Sequence, residues 1–392
     1  MKVLVVAEYY PRAGNSVLGV WAHRQAVAAS EAGADVRVLV LHRPIPPLAA
    51  IRSGDLRTGL AAVRQPRAAE LDRIPIEFVR YVSPPRVWSY RSWGAWAAPS
   101  LGRALRRIRR QFPFELIHAH YAVPAGDAVR RVTDRVPLIV SVHGHDVQGA
   151  GSGGSNVRAV LARAELVLAN SSGTAKRCLD LGARETRVVH LGTDIPPPPS
   201  RRAPFPTLVT VAHLAARKRH ADVVSALALL RGRHPGLRYT IVGDGPEREP
   251  LRALAHSLVV DDLIEFRGQL DHGPAIDAAR AATLFVLPSV DEAFGVAYVE
   301  AMAGAVPAIG CRGEDGPEEI ASAGGGIALV PPRDVPSLAA QIDTLLRDPA
   351  GLEALGRQAR ETVEREFTWE KCGRETAEAY REVLGAGLQR KI

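Results

Sequence analysis

The sequence predicts an α/β protein made of two doubly wound domains, each with a mostly parallel sheet between layers of helices. Short apolar runs alternate with segments of helical spacing through both halves of the chain, which is typical of parallel strands joined by crossover helices. A proline-rich linker at residues 196–206 separates the halves and cannot join a sheet. Because 392 residues exceed one typical hydrophobic core, two domains are expected.

The first half, residues 1–195, carries the apolar runs of one sheet. Strands are predicted at residues 3–7, 36–41, 114–120, 138–142, 165–169 and 187–190. Helical spacing follows at residues 21–32, 122–131 and 172–181. Residues 43–73 are rich in proline, alanine and arginine and are interpreted as an excursion, and residues 149–155 as a flexible glycine-rich loop.

The second half, residues 207–367, repeats the alternation. Strands are predicted at residues 208–212, 239–242, 263–266, 283–287 and 308–309. Helices are predicted at residues 221–233, 335–347 and 352–366, and a final helix begins near residue 368. This half is therefore expected to form the second sheet.

The composition fits a globular, cytoplasmic protein. Hydrophobic residues make up 46% and charged residues 23%, and no apolar run reaches the length of a membrane span. Three widely spaced cysteines show no disulfide or metal pattern, and we expect no metal site. A net charge of +8 is compatible with anionic substrates or acidic lipid, whereas no nucleic-acid motif accompanies it.

Residues 281–310 form the stretch that carries the most chemistry, because they read as strand, turn, helix and strand. Glu292 falls in the polar turn, and Glu300 falls about one and a half turns into the helix. Ligands of parallel sheets bind where strands end, and a carboxylate accepts two hydrogen bonds from vicinal sugar hydroxyls. The N–H groups near Phe294 and Gly295 suit phosphate oxygens.

The string E-A-F-G-V-A-Y-V-E-A-M-A-G-A-V-P, which begins at Glu292, resembles the E-x7-E signature of retaining, nucleotide-sugar-dependent glycosyltransferases of family 4 and group 1. The resemblance implies the GT-B fold, two Rossmann-like domains facing across a cleft, with residues 368–392 packing back on the first domain. It also implies hexosyl transfer from a UDP- or GDP-sugar to an acceptor hydroxyl in cell-surface glycan synthesis, with no cofactor and no metal.

The resemblance also implies roles for individual residues of the sugar-nucleotide site. Glu300 would bind the ribose, Glu292 the transferred hexose and Lys218 the diphosphate, while His213 stands where the family often has arginine. A glycine-containing loop lies over the diphosphate in the family, and Gly19 is its match here. The full set implied for binding the nucleotide sugar is Gly19, His213, Lys218, Gly243, Phe294, Gly295 and Glu300.

Histidines follow two successive strands of the first half. The resemblance places His120 against the reacting sugar, so the implied catalytic set is His120, Lys218 and Glu292. His118 lies deeper in the same strand and is interpreted as structural. His143 and Asp146 end the next strand and are candidates for the acceptor side, because parallel strands deliver their ends to one edge.

Residues 101–110 have an apolar face and an arginine face. One interpretation is contact with an anionic membrane surface or a lipid-phosphate acceptor, which would place the protein peripherally at the inner face of the membrane. The other is an ordinary solvated helix face. The arginines concerned are Arg103, Arg106, Arg107, Arg109 and Arg110.

Three other functions compete with sugar transfer. A nucleotide-sugar 2-epimerase has the same fold and would convert a UDP-sugar without an acceptor. A catalytically silent sugar-nucleotide-binding partner is the second, and the departure at His213 leaves it open. A dinucleotide-dependent oxidoreductase is disfavoured, since no G-x-G-x-x-G follows the first strand.

Overall fold

The chain forms two α/β units in a computed structural model that describes residues 1–13, 15–45, 60, 64–85, 89–148, 154–197 and 205–389. One unit comprises Met1–Leu191 together with Trp369–Ile392, and the other comprises Gly192–Thr368. Within the described residues, each unit holds one sheet of mostly parallel strands, together with several helices. The predicted α/β class with two doubly wound domains is confirmed.

The sheet of the first unit is built on strands that are buried on both faces. The β1 sequence, KVLVVA, is almost wholly apolar, as expected for a strand covered on both sides. Alternate β1 residues enter two separate hydrophobic clusters, with Leu4 and Val6 in one and Val3 and Val5 in the other. The strands are β1 Lys2–Ala7, β2 Asp35–His42, β3 Ala68–Leu71, β4 Ile74–Arg80, β5 Leu116–His120, β6 Leu138–Val142, β7 Leu166–Ala169 and β8 Thr186–Val188.

Their order in the described sheet is β3-β4-β2-β1-β5-β6-β7-β8, with only the β3–β4 pair antiparallel. The helices of this unit are α1 Val20–Glu31, α2 Trp93–Gln111, α3 Asp127–Val132, α4 Ser155–Arg163, α5 Ser172–Asp180 and, at the C-terminal end, α13 Trp369–Gln389.

The second unit has a parallel sheet in the order β11-β10-β9-β12-β13-β14. Its strands are β9 Thr207–Val211, β10 Arg238–Val242, β11 Ile264–Gly268, β12 Leu284–Val286, β13 Ala308–Cys311 and β14 Ile327–Val330. Its helices are α6 His220–Leu230, α7 Arg248–Ser257, α8 His272–Ala281, α9 Val296–Ala303, α10 Asp315–Ala323, α11 Val335–Arg347 and α12 Pro349–Glu366.

Both sheets reverse their strand order next to their first strand. In the first unit β1 lies between β2 and β5, and in the second β9 lies between β10 and β12. Connections leave in opposite directions at such a point, which opens a crevice at the carboxyl ends of the strands. His120 ends β5, and the segments after β9 and β12 carry Lys218 and Glu292, so these residues lie at the switch points, whereas His143, Asp146 and Gly243 follow the neighbouring strands β6 and β10.

Helix α13 packs closely on α1 within the first unit. The contact rests on Gly373, because a Cβ atom there would lie 2.2 Å from the carbonyl oxygen of Ala28. Polar contacts add to it, with Gln25 Nε2 donating to Thr376 Oγ1 at 3.0 Å. The helix begins at Trp369, next to the predicted start near residue 368, and runs to Gln389.

The structure differs from the sequence prediction between residues 43 and 80. Strands β3 and β4 form an antiparallel hairpin there, with β3 inside the segment interpreted as an excursion and β4 beyond it. Pro75 within β4 and the exposed residues of β3 hide the strand pattern, since proline is rare inside strands and β3 has no buried face. Residues 46–59 and 61–63, residues 149–153 of the glycine-rich loop and residues 198–204 of the linker lie outside the described ranges.

Candidate functional site

The second unit positions a carboxylate and a cation together at its switch point. Glu292 lies after β12 and is 6% exposed, and Lys218 ends a short 3₁₀ turn after β9. Lys218 Nζ donates to Glu292 Oε2, which also accepts from Ser289 Oγ at 2.9 Å. Because β9 and β12 are neighbouring strands, residues 74 positions apart in sequence meet here.

The environment of Glu292 keeps this carboxylate ionised. Burial alone would raise its pKa, but the charge and hydrogen bond of Lys218, with smaller contributions from Arg217 and Ser289, hold the pKa of Glu292 below its usual value. The backbone N–H of Glu292 donates to Glu314 Oε2 at 2.9 Å, which ties the turn to the start of α10. The carboxylate is therefore both charged and fixed in position.

The start of α9 faces the same turn. Gly295 precedes the helix with φ 80°, and a Cβ atom at this position would lie 2.6 Å from the Tyr298 ring. Only glycine fits this entry without strain. No side chain of the described residues caps α9, so its first N–H groups are oriented for an anion. Phe294 is different, because the residue is buried, with its ring against Phe367 and its backbone close to Gly316.

Glu300 lies in the second turn of α9 in a separate environment. Burial raises its pKa to about 7, while Arg280 lowers it and Asp194 raises it further. His272 Nε2 is 3.7 Å from Glu300 Oε1. No described contact joins Glu300 to Glu292, so the two carboxylates have different neighbours and different proton affinities, which suits them to different parts of one ligand.

The remaining second-unit candidates flank the Lys218 turn. His213 is exposed, with its ring close to Gly245, and it lies two residues after the end of β9. Gly243 follows β10 directly, and its N–H donates to the carbonyl of Gly268 at 2.8 Å. Arg217 Nη1 is 3.9 Å from Glu292 Oε2, which makes Arg217 a second cation beside this carboxylate.

In the first unit, three histidines lie side by side in the order His118, His120 and His143. His118 is fully buried with both ring nitrogens bonded, Nδ1 to Tyr380 OH at 2.7 Å and Nε2 to Ser141 Oγ at 2.8 Å. The interpretation of His118 as structural fits these contacts. His120 Nδ1 meets His143 Nε2 at 3.1 Å, whereas His120 Nε2 has no hydrogen-bond partner within the described ranges.

These imidazoles are neutral at physiological pH. Burial lowers the pKa of His118 and of His143 to about 3, with His143 contributing to the shift of His118. Burial, His118 and His143 together place the pKa of His120 well below its ordinary value. A buried ring nitrogen without a hydrogen-bond partner costs about 1–3 kcal/mol of folding free energy unless a ligand or water bonds to it. His120 Nε2 is therefore a suitable contact for a ligand.

Asp146 links the two strand ends that carry these histidines. Its Oδ2 accepts from the N–H of Ala122 at 3.0 Å, after β5, and its Oδ1 accepts from the N–H of His143 at 3.3 Å, after β6. Burial raises the pKa of Asp146 to about 6, although these backbone hydrogen bonds lower it. Both oxygens accept from backbone N–H groups, so Asp146 supports the two strand ends, and its place on the acceptor side stays a prediction.

The backbone beside His120 is strained. Tyr121 has φ 73° and ψ 138°, a region that a bulky L-residue rarely adopts. Its ring lies 4.8 Å from the His143 ring and 5.0 Å from Tyr9. Gly19 lies near the same loop with φ 67°, and a Cβ atom there would come within 2.2 Å of the Tyr9 carbonyl carbon. The sequence carries no signal for the strain at Tyr121.

Sequence reasoning missed several residues that complete these environments. Ser289, Glu314 and Arg280 contact the two glutamates, and Tyr380 holds His118 from 262 positions away in the chain. Ser289 is a neighbour of Glu292 in the same turn, whereas the other three reach the site through the packing of distant segments. Within the described ranges no cluster of histidine, cysteine or acidic residues could hold a metal ion, and metal independence stays a prediction.

The arginine face predicted on residues 101–110 lies on α2. All five arginines are exposed, while Leu101, Leu105 and Ile108 are buried. Arg107 pairs with Glu77 and Arg109 lies over the Phe114 ring, so two of the five have partners within the protein. No helix in the described part of the chain is long and apolar enough to cross a membrane.

Two family models match consecutive parts of the chain. Residues 18–197 match the model described as Glycosyltransferase Family 4, and residues 194–362 match the model described as Glycosyl transferases group 1. Together they span residues 18–362, which includes parts of both units, and they overlap at residues 194–197.

Individual proteins agree with these matches. The chain is 27% identical to a glycogen synthase of Mycobacterium tuberculosis over 97% of its own length and 94% of the relative. Sucrose-phosphate synthase from Thermosynechococcus elongatus superposes with TM-score 0.79 at 21% identity, over 98% of this chain and all of that one. Anabaena HepE in complex with UDP and glucose gives TM-score 0.71 at 20% identity, over 97% of this chain and all of that one. The structural likenesses establish a two-domain GT-B fold, as the sequence predicted.

Proposed function

Because the chain belongs to the glycosyltransferases of family 4 and group 1, we propose that it transfers a hexose from a UDP- or GDP-sugar to an acceptor hydroxyl with retention at the anomeric carbon. The observation that carries the proposal is the buried Lys218–Glu292 pair beside the uncapped start of α9, with Glu300 further along the same helix. This arrangement offers a cation, helix N–H groups and two carboxylates to one ligand.

Each group has a chemical task in the proposal. The diphosphate accepts hydrogen bonds from Lys218 and from the first N–H groups of α9, which neutralise the charge that grows as the glycosidic bond breaks. Glu292 accepts hydrogen bonds from hydroxyls of the transferred hexose. Glu300 does the same for the ribose, and its ionised form is the stronger acceptor. His120 contacts the reacting sugar through Nε2.

The proposed reaction proceeds on one face of the sugar. The bond from the anomeric carbon to the diphosphate oxygen breaks, and the acceptor oxygen bonds to the same face of that carbon. The leaving diphosphate accepts the acceptor's proton, so no protein nucleophile is required. The proposed setting is synthesis of a polysaccharide, glycolipid or other cell-surface glycan in the cytoplasm.

Incubation with UDP- and GDP-hexoses tests this function, with a panel of simple glycosides as acceptors and NMR of the products. The proposal predicts acceptor-dependent transfer with the anomeric configuration of the sugar nucleotide kept. Inversion would contradict retention. Conversion of the sugar nucleotide into its 2-epimer without any acceptor would instead identify the isomerase. Binding without any turnover would identify a silent partner.

A further inference from the structure

The two histidines at the ends of β5 and β6 are joined by one hydrogen bond. The ring planes of His120 and His143 differ by only 12° and their centroids are 5.3 Å apart, yet His120 Nδ1 and His143 Nε2 are 3.1 Å apart. Rings stacked face to face would not bring two nitrogens so close. The rings are therefore nearly coplanar, and each points a nitrogen at the other.

Such a contact couples the tautomers of the two rings. Both imidazoles are neutral, so one of the two facing nitrogens carries a hydrogen and the other accepts it. If His143 Nε2 donates, His120 keeps its own hydrogen on Nε2. If His120 Nδ1 donates, its Nε2 is left as a bare acceptor. The nitrogen of His120 without a described partner is Nε2, so His143 decides what this atom offers to a ligand.

The position of His143 is itself enforced by the fold. Asp146 accepts from the His143 N–H and from the Ala122 N–H, so one carboxylate spans the ends of both strands. On the other side of His120, the His118 ring lies 4.6 Å away and is anchored by Tyr380 and Ser141. His120 thus lies between two rings. Both nitrogens of His118 already have hydrogen-bond partners, and His143 shares a single hydrogen bond with His120.

We propose that His143 is a positioning residue that donates from Nε2 to His120 Nδ1 and so fixes His120 as the Nε2–H tautomer, with that N–H presented to an oxygen of the bound sugar nucleotide. The direction follows from the intrinsic preference of neutral histidine for the Nε2–H form. His143 would not itself touch substrate in this role. The inference deepens the proposed function, and its catalytic part rests on that function.

Long-range hydrogen–nitrogen NMR on the ¹⁵N-histidine-labelled full chain reads the tautomer without any substrate. The matched variants are His143→Gln, whose amide nitrogen can still donate, and His143→Leu, which cannot donate. His120→Gln identifies the His120 signals by their loss. We expect a protonated Nε2 and a bare Nδ1 on His120 in the wild type and in His143→Gln, and a mixture of tautomers in His143→Leu.

Kinetics on the same proteins separate positioning from binding. We expect His143→Leu to lower kcat about tenfold or more with a smaller change in the KM for the sugar nucleotide, and His143→Gln to recover most of kcat. Asp146→Asn provides a second route, because it weakens the bonds that hold His143 without changing either ring. It should give partial mixing of the His120 tautomers even if His143→Leu folds poorly.

A bare Nε2 on wild-type His120, or an unchanged single tautomer in His143→Leu and Asp146→Asn, would overturn the coupling. A tautomer that depends on His143 together with unchanged kcat in a folded His143→Leu protein would overturn the positioning role. Absence of transfer from any nucleotide sugar in the wild type would contradict the proposed function instead, while the NMR result would still decide whether His143 sets the tautomer.

Discussion

Lys218 and Glu292 form a pair that is nearly closed to solvent, with side chains 12% and 8% exposed. Removing charges from water costs several kcal/mol each, and the attraction between the two opposite charges offsets part of that cost. A diphosphate that approached Lys218 would meet a cation that has already lost its water. When the diphosphate replaces Glu292 as the partner of Lys218, the lysine loses less hydration than a fully exposed lysine would. Glu292 then becomes available for hexose hydroxyls.

Glu300 leads to a prediction on the pH dependence of binding. Burial raises the pKa of its carboxyl to about 7, and the ionised carboxylate is the stronger hydrogen-bond acceptor for ribose hydroxyls. Affinity should therefore increase as pH rises through about 7, with binding about tenfold weaker at pH 6 than at pH 8. Calorimetric titration with an intact nucleotide sugar checks this, because its diphosphate does not titrate in this range.

Glu300→Gln is the control for that prediction. The amide has the size of the carboxyl but no proton equilibrium, so its affinity should be weak and independent of pH. Wild-type affinity that stayed constant between pH 6 and pH 8 would contradict a role for the Glu300 carboxylate in binding the sugar nucleotide.

At the scale of single elements, α2 carries a surface that the proposed chemistry does not use. Trp96, Arg103 and Arg110 are spaced by seven residues and are all exposed, so they share one face of the helix. An indole beside cations suits the boundary of an anionic lipid layer. We expect the protein to bind vesicles containing anionic lipid, each arginine near the surface contributing about 1 kcal/mol, and to dissociate as salt is raised.

Vesicle co-sedimentation of the wild type and of one triple variant checks this prediction; the variant carries Arg103→Gln, Arg106→Gln and Arg110→Gln. The triple variant should bind much less, and neutral vesicles should bind neither protein. Equal sedimentation of both proteins, or association that salt does not change, would show that this arginine face is simply solvated.

The packing of α13 on α1 leads to a second prediction at this scale. In Gly373→Ala the new methyl group would lie 2.2 Å from the Ala28 carbonyl oxygen, so the helices must separate. The expected loss of unfolding free energy is about 2 kcal/mol, as for other overpacked contacts. Gly385→Ala in the same helix meets nothing within 4 Å and should gain up to about 1 kcal/mol from helix propensity. Denaturant unfolding of both variants measures the difference, and equal stabilities would contradict the close packing.

At the scale of the whole molecule, the sequence predicts most of the second unit and the core of its site. Glu292, Gly295 and Glu300 lie on one strand–turn–helix segment, so local pattern alone places them at a strand end and a helix start. The alternation of buried strands and helices likewise predicts the sheets, because both depend on periodicity within short windows.

Periodicity within short windows cannot predict contacts that depend on the order of strands in the sheet. The Lys218–Glu292 pair needs β9 beside β12, and the His120–His143 hydrogen bond needs β5 beside β6. The supporting position of Asp146 and the burial of the Phe294 side chain depend on packing that no single segment encodes. The β3–β4 hairpin escaped because Pro75 and an exposed partner strand obscure its alternation.

The central claim is that Lys218 belongs to the phosphate-binding part of a nucleotide-sugar site. Calorimetric titration of wild type, Lys218→Met and the exposed control Lys176→Met with UDP, GDP and the parent nucleosides tests it most directly. One nucleoside diphosphate should bind the wild type and Lys176→Met equally, and bind Lys218→Met about 10- to 100-fold more weakly, as expected for loss of a charge-assisted hydrogen bond. The parent nucleoside should bind all three proteins alike, because it has no phosphate for Lys218. Equal affinity of the diphosphate for wild type and Lys218→Met would contradict the account.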